Sequence, residues 1–156
     1  MNPLRTLFPN ADDASAGAAT TPTEHRSARD AIVKLLELEG CKPRVDQDGD
    51  VVFVHHELNY LLLLSAKDPE FVRLVLPSFC AVGSDAERAA AYEAANVANA
   101  TCKAAKVSVE HGQTHAAVEC FLASPHEIVP VLMRCAGALE HAARAFAMAY
   151  AMIRRQ

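Results

Sequence analysis

Two runs of consecutive apolar residues constrain the fold of this chain more than any other feature. Val51–Val54 and Leu61–Leu64 are apolar at every position. Successive side chains on a strand point to opposite faces, so such runs are typical of strands that are buried on both faces. The chain therefore needs a β-sheet whose two faces are both covered.

Turn signals place these runs in a meander of antiparallel strands. Asp48-Gly49 precedes the first run and indicates a tight hairpin, because both residues tolerate positive φ. A second turn near residues 57–59 precedes the second run. Lys67–Glu70 then separates that run from the apolar stretch Phe71–Leu76. We expect three strands here.

Helix start and stop signals lie on either side of this meander. Ser27 precedes apolar residues at helical spacing, and Gly40 ends that stretch. Ser84 and Glu87 form a capping box ahead of an alanine-rich stretch that runs to about Ala105. Both stretches are predicted to be helices.

The last third of the chain predicts a second hairpin and a long helix. Apolar and polar residues alternate over 107–110 and 115–122, with Gly112 between them. Ser124-Pro125-His126-Glu127 then combines a capping serine, a proline at the first helical position and a glutamate at the third. A stripe of apolar and small residues continues from there nearly to Gln156, so the helix is expected to reach the end of the chain.

Segregated runs of strands and helices predict an α+β fold. We expect an antiparallel sheet of about five strands with three helices in the order α-βββ-α-ββ-α, ending in the long helix. A chain of 156 residues, 51% hydrophobic and 22% charged, fits one globular domain. Small, polar and proline residues dominate 10–24, so we assign 1–26 to a flexible N-terminal tail and 27–156 to the domain.

Composition argues against nucleic acid and membranes as partners. The formal net charge is −4, and no cluster of Lys or Arg offers a binding surface for phosphates. No segment approaches the roughly 20 apolar residues of a membrane helix, and the N-terminus lacks a secretory signal pattern. Five widely spaced cysteines indicate reduced thiols, so we expect a cytoplasmic protein.

An acidic turn and several histidines invite a metal interpretation. Asp46, Asp48, Asp50 and Glu57 match positions of a calcium loop, but Val51 stands where that loop needs glycine, so a hairpin tip is the simpler interpretation. His55-His56-Glu57 and the separate pair His111 and His115 are potential ligands for a transition metal. Adjacent residues on a strand point apart, however, so His55 and His56 are not expected to chelate one ion.

Signals for catalysis are weak. No G-x-S-x-G and no phosphate-binding glycine loop is present, and Cys120 and Cys135 fall on apolar faces as core thiols do. Asn96 and Asn99 share one side of the second helix, where they bind a partner's backbone, tie the helix to a strand end of this chain or face water. We predict no enzyme activity, no catalytic residues, no cofactor and no metal.

The order of elements, the stretch Asp68–Pro77 and the later Asn96–Asn99 together resemble the YbjN family, labelled as bacterial sensory transduction regulators. The resemblance covers about residues 28–150. YbjN domains are similar in fold to type III secretion chaperones, which implies a curved antiparallel sheet and a tendency to bind other proteins. The resemblance brings no catalytic residues, and a shared fold does not establish a shared function.

We therefore predict a non-enzymatic protein-binding module, chaperone-like or regulatory, that acts through an apolar sheet face and the long last helix. The partner is another protein or a second copy in a homodimer. The alternative is a sensory regulator that responds to a ligand or a metal. The predicted contact residues are apolar and belong to the strands and the last helix: Phe53, Leu61, Leu63, Phe71, Val75 and Phe146.

Overall fold

The computed structural model describes residues 22–65 and 67–155 of the chain. Three α-helices lie in the described residues: α1 (Pro22–Leu38), α2 (Asp85–Thr101) and α3 (Leu132–Ile153). A 3₁₀ helix, Pro125–Val131, precedes α3. The strands are β1 (Arg44–Val45), β2 (Val51–His55), β3 (Leu58–Leu64), β4 (Phe71–Ala81), β5 (Ala105–Glu110) and β6 (Gln113–Phe121).

The six strands form one antiparallel sheet in the order β1-β2-β3-β4-β6-β5. The predicted α+β class, the antiparallel sheet and the long C-terminal helix are confirmed. The sheet has one strand more than expected, because Arg44 and Val45 pair with Val52 and Val51 across the Asp48-Gly49 turn. The chain divides into two compact units.

The first unit holds the described residues up to Leu74 and Glu119–Met133. Ala28, Ile32 and Leu36 follow one another at four-residue steps on α1 and are fully buried, which is the spacing of one helix face. That helix contacts the 3₁₀ helix.

Strand β3 forms the centre of this unit. Its residues from Tyr60 to Leu64 are all buried, as the unbroken apolar run predicts. The ring of Tyr60 stacks on Phe53 of β2, with 5.0 Å between the ring centroids. The Oδ1 atom of buried Asp50 accepts a hydrogen bond from the backbone N–H of Leu64, which fixes the end of this strand.

The second unit holds Val75–Val118 and the residues from Arg134 onward. Helix α2 lies against β5 through its alanine face, of which Ala90, Ala91, Ala94, Ala95 and Ala98 are buried. Its N-terminus has the predicted capping box: the Ser84 hydroxyl accepts from the Glu87 N–H, and the Glu87 carboxylate accepts from the Ser84 N–H.

The start of α1 and the start of α3 differ from the sequence prediction. Helix α1 begins at Pro22, so Ser27 lies inside it rather than at its cap, and the rest of the predicted tail, residues 1–21, lies outside the described residues. After Ser124 the chain forms a 3₁₀ helix first, and α3 begins only at Leu132. Pro130 explains the delay, because it has no N–H to donate to an α-helical hydrogen bond.

No helix among the described residues combines the length and the apolar character needed to cross a membrane.

Candidate protein-binding groove

A groove of about 560 Å³ lies between α2 and α3 in the second unit. Helix α2 contributes one wall at four-residue steps, and α3 contributes the other. We call this feature the interhelical groove and define it by its lining residues: Glu93, Val97 and Thr101 of α2, and His141, Arg144, Ala145, Met148, Ala149, Met152 and Ile153 of α3.

Small side chains on α3 create the depression. Ala145 and Ala149 lie next to the larger Met148 and Met152, which are 70% and 66% exposed, and Val97 across the groove is 42% exposed. Methionine side chains are flexible and polarisable, so they adapt to different apolar partners. The lining thus combines exposed apolar surface with the ability to repack.

The two ends of the groove carry side chains of opposite charge. Glu87 at the start of α2 forms a 3.0 Å ion pair with Arg154 just beyond α3, so the two helices run in opposite directions. Glu93 therefore lies towards the end of the groove formed by Met152, while Arg144 lies near Thr101 at the other end. Eight residues separate Glu93 from Thr101, which places the two ends about 12 Å apart.

The sequence had indicated a different set of apolar contact residues, and most of them are buried in the chain itself. Phe53, Leu61, Leu63, Val75 and Phe146 are each no more than 4% exposed. Phe71 is partly exposed and lies 5.4 Å from the ring of Phe121. The role of these six residues in binding stays a prediction.

The sequence does not indicate the groove, because the apolar stripe of α3 predicts a single apolar face. Leu139, Ala142 and Phe146 form the buried face. Met148 and Met152, four residues apart, belong to a second apolar face. That spacing was the available signal, but only the position of α2 turns it into a groove.

The acidic turn serves the hairpin between β1 and β2. The Asp46 Oδ1 atom accepts hydrogen bonds from the backbone N–H groups of Asp48 and Asp50, both at 3.0 Å. Gly49 has φ of 86°, as the Asp-Gly turn requires. The interpretation as a hairpin tip is therefore confirmed.

The expectation that His55 and His56 point apart is wrong. His56 and Glu57 have φ of 47° and 64°, and His55 pairs with Leu58 across this two-residue turn. The strand alternation ends at His55, and the left-handed turn brings the two imidazoles together, with 3.8 Å between their ring centroids. The other two histidines differ in burial: His111 is exposed at its turn, whereas His115 is buried.

The five cysteines are free thiols. Burial raises the pKa of Cys41, Cys80 and Cys120, and the nearby carboxylates of Glu39 and Glu87 add to this effect for Cys41 and Cys80 respectively. A nucleophilic cysteine needs a lowered pKa, so these three thiols behave as structural residues.

Asn99 connects α2 to the sheet. Its side-chain amide both donates to and accepts from the backbone of Val107 on β5, although Asn99 is exposed, as Asn96 is. The structural interpretation of Asn99 is therefore confirmed.

No family model matches the sequence, and no curated protein matches it either. A chain from the solved structure of the HopA1–SchA chaperone–effector complex matches the fold with a TM-score of 0.58. The two chains are 13% identical, and the match covers 81% of this chain and 98% of that one. Membership of the YbjN family is not shown, and the likeness to a chain of that complex shows a shared fold.

Proposed function

We propose that this chain is a non-enzymatic protein-binding module with a chaperone-like role, and that it works as a homodimer. The exposed apolar lining of the interhelical groove is the observation that carries the proposal. Met148 and Met152 expose about two thirds of their surface to water, and exposed apolar side chains gathered at one place mark a surface that a partner covers.

The fold likeness supports a protein partner. The matching structure is that of a chaperone bound to an effector, and a fold of this kind is consistent with binding rather than catalysis. The raised pKa values of three thiols also speak against a cysteine enzyme. We place the protein in the cytoplasm, where free cysteines stay reduced.

The charges of the groove favour a second copy as the occupant. A two-fold axis through the middle of the groove and perpendicular to its length exchanges the two ends. Glu93 of one copy then faces Arg144 of the other, and the reverse pair forms at the opposite end. An isologous interface requires this kind of self-complementarity, and the apolar centre around Met148 packs on its own image.

The oligomeric state tests the proposal. We expect sedimentation equilibrium to give twice the chain mass of 16.8 kDa. Met148→Glu should shift the protein to monomer, because it places a charge in the apolar centre of the interface. Since Met148 is largely exposed, this substitution leaves the fold of the monomer intact. Leu38→Glu is the matched control, because Leu38 is 78% exposed on α1 and outside the groove.

A protein that stays monomeric at every concentration overturns the homodimer. So does a dimer that Met148→Glu leaves intact. The protein could also be a monomer whose groove methionines become protected from oxidation only when a helical peptide from another protein is added. That result identifies the peptide as the occupant, and the second copy is then rejected.

A further inference from the structure

The open edge of β5 lies beside α2 in the second unit. Strand β5 is the last strand of the sheet, and α2 packs against it. The side-chain amide of Asn99 bonds to both the N–H and the C=O of Val107, so these two backbone groups point away from β6. Residues that face outward in this way alternate along an antiparallel strand. Val109 therefore presents its own N–H and C=O to the same edge.

A pocket of about 440 Å³ opens at this edge, next to the residue that Asn99 covers. Val109 lines it, and no side chain among the described residues binds the backbone of Val109 as Asn99 binds that of Val107. Tyr92 and Arg88 line it too. They precede Asn99 by seven and eleven residues, about two and three helical turns, so all three lie on one stripe of α2.

The polar side chains of the pocket can all donate hydrogen bonds. They are Arg88, Tyr92 and His111, and the described lining holds no carboxylate. Arg88 pairs with Asp85 at 3.0 Å, but the Asp85 side chain is 95% exposed. An ion pair so open to water contributes little, so it gives way to a ligand. The lining therefore favours a ligand with a negatively charged acceptor group.

The turn between β5 and β6 is held against the residue that follows β4. The Gly112 carbonyl accepts a hydrogen bond from the Val82 N–H at 2.8 Å. A Cβ atom at Gly112 would lie 3.1 Å from the Val82 carbonyl oxygen, so the two backbones are in close contact. This contact fixes the wall of the pocket to which His111 belongs, and Val82 and Val109 add apolar side chains to the lining.

We propose that this pocket binds the C-terminal end of an extended peptide from another protein. The terminal carboxylate accepts hydrogen bonds from the Arg88 guanidinium, whose planar fork matches the two oxygens of a carboxylate. The adjacent peptide backbone pairs with the open N–H and C=O of Val109, as an added strand does. Tyr92 and His111 supply further donors at the same place.

The open strand edge favours a peptide over a free small carboxylate. A lone carboxylate uses Arg88 but leaves the N–H and C=O of Val109 to water, whereas the end of a peptide satisfies both features at once. The pocket and the interhelical groove use different residues of α2. The proposal therefore stands whether or not the protein forms the homodimer described above.

Peptide titrations followed by ¹H–¹⁵N NMR of the full chain test the site. The probes are a pool of N-acetylated tripeptides with free carboxylates and varied last residues, the same pool with amidated C-termini, and acetate. We expect the first pool to shift the Val109 amide and the Arg88 Nε–H signals, and the amidated pool to bind about tenfold more weakly or less. Acetate should shift only the Arg88 signal, at a much higher concentration.

Arg88→Gln should reduce the binding of the free-carboxylate pool to that of the amidated pool, because the guanidinium is the group that distinguishes them. Arg134→Gln is the matched control and should change nothing, since Arg134 lies outside the pocket. Both arginines are exposed, so neither substitution disturbs the fold. A Val109 amide that no peptide shifts, equal binding of the two pools, acetate that binds as tightly as the peptides, or equal effects of the two variants overturns the proposal.

Discussion

The side chain of Asn99 forms two hydrogen bonds with the backbone of Val107, as a neighbouring strand would. Its Nδ2 atom donates to the Val107 carbonyl at 3.1 Å, and its Oδ1 atom accepts from the Val107 N–H at 2.7 Å. Because β5 is the last strand of the sheet, Asn99 satisfies backbone groups at an edge that would otherwise be open to pairing with another chain.

Asn99→Ala should therefore destabilise the fold by about 1 kcal/mol, because two backbone groups exchange their side-chain partner for water. Urea denaturation followed by circular dichroism measures the change. Asn96→Ala is the matched control on the same helix, where an exposed side chain should matter by no more than about 0.5 kcal/mol. Equal effects of the two substitutions would contradict the role of Asn99.

Reversing the charges of the groove should weaken and then restore the homodimer. Glu93→Lys and Arg144→Glu each bring like charges together across the two-fold axis, and each should raise the dissociation constant about tenfold. The double variant recreates both pairs with exchanged signs and should recover most of the affinity. Sedimentation at low salt measures all four proteins.

An intrachain ion pair complicates one of these variants. Arg144 lies 3.7 Å from Glu140 one helical turn earlier, so Arg144→Glu also costs a few tenths of a kcal/mol within α3. Thermal unfolding separates this effect from dimerisation. A double variant that dimerises no better than the single ones would argue against the proposed pairing of Glu93 with Arg144.

Local signals predicted those parts of the fold that depend on neighbouring residues. The Asp48-Gly49 turn and the Ser84 capping box formed as expected, because their hydrogen bonds close within five residues. The sequence places this turn one residue too late, because His56 and Glu57 are not the Gly, Asn or Asp residues that mark a two-residue hairpin turn.

Features that need two distant segments were out of reach. The interhelical groove depends on how α2 lies against α3, which no local spacing encodes. The contact between Cys41 and His55 joins a helix end to a strand end in the same way.

His115 should make the stability of the fold depend on pH. Its side chain is fully buried, and its Nδ1 atom accepts a hydrogen bond from the Ser78 N–H at 3.2 Å. Burial lowers the pKa of His115; the Glu110 carboxylate opposes this effect and His111 adds to it. The unfolded chain therefore binds a proton more readily than the folded one.

The stability that this residue contributes is complete above the unfolded pKa of about 6.5 and is lost as the pH falls towards the lower folded pKa. His115→Gln should flatten the dependence of the urea midpoint on pH below about pH 6.5. A smaller slope should remain, since burial also lowers the pKa of His25. Asn96→Ala removes no titratable group and is the control that should keep the full slope.

Substitution by alanine should change the stability of the fold in opposite directions at two glycines. Gly49 has φ of 86°, and a Cβ atom there would lie 2.8 Å from the Arg29 Nη1 atom, so Gly49→Ala should destabilise the fold by about 1–2 kcal/mol. Gly137 lies inside α3, and apart from the neighbouring residues and backbone of that helix no atom lies within 4 Å of an added Cβ, so Gly137→Ala should stabilise the fold by about 0.5–1 kcal/mol. Urea midpoints measure both changes, and a stabilising Gly49→Ala would be incompatible with the left-handed turn that joins β1 to β2.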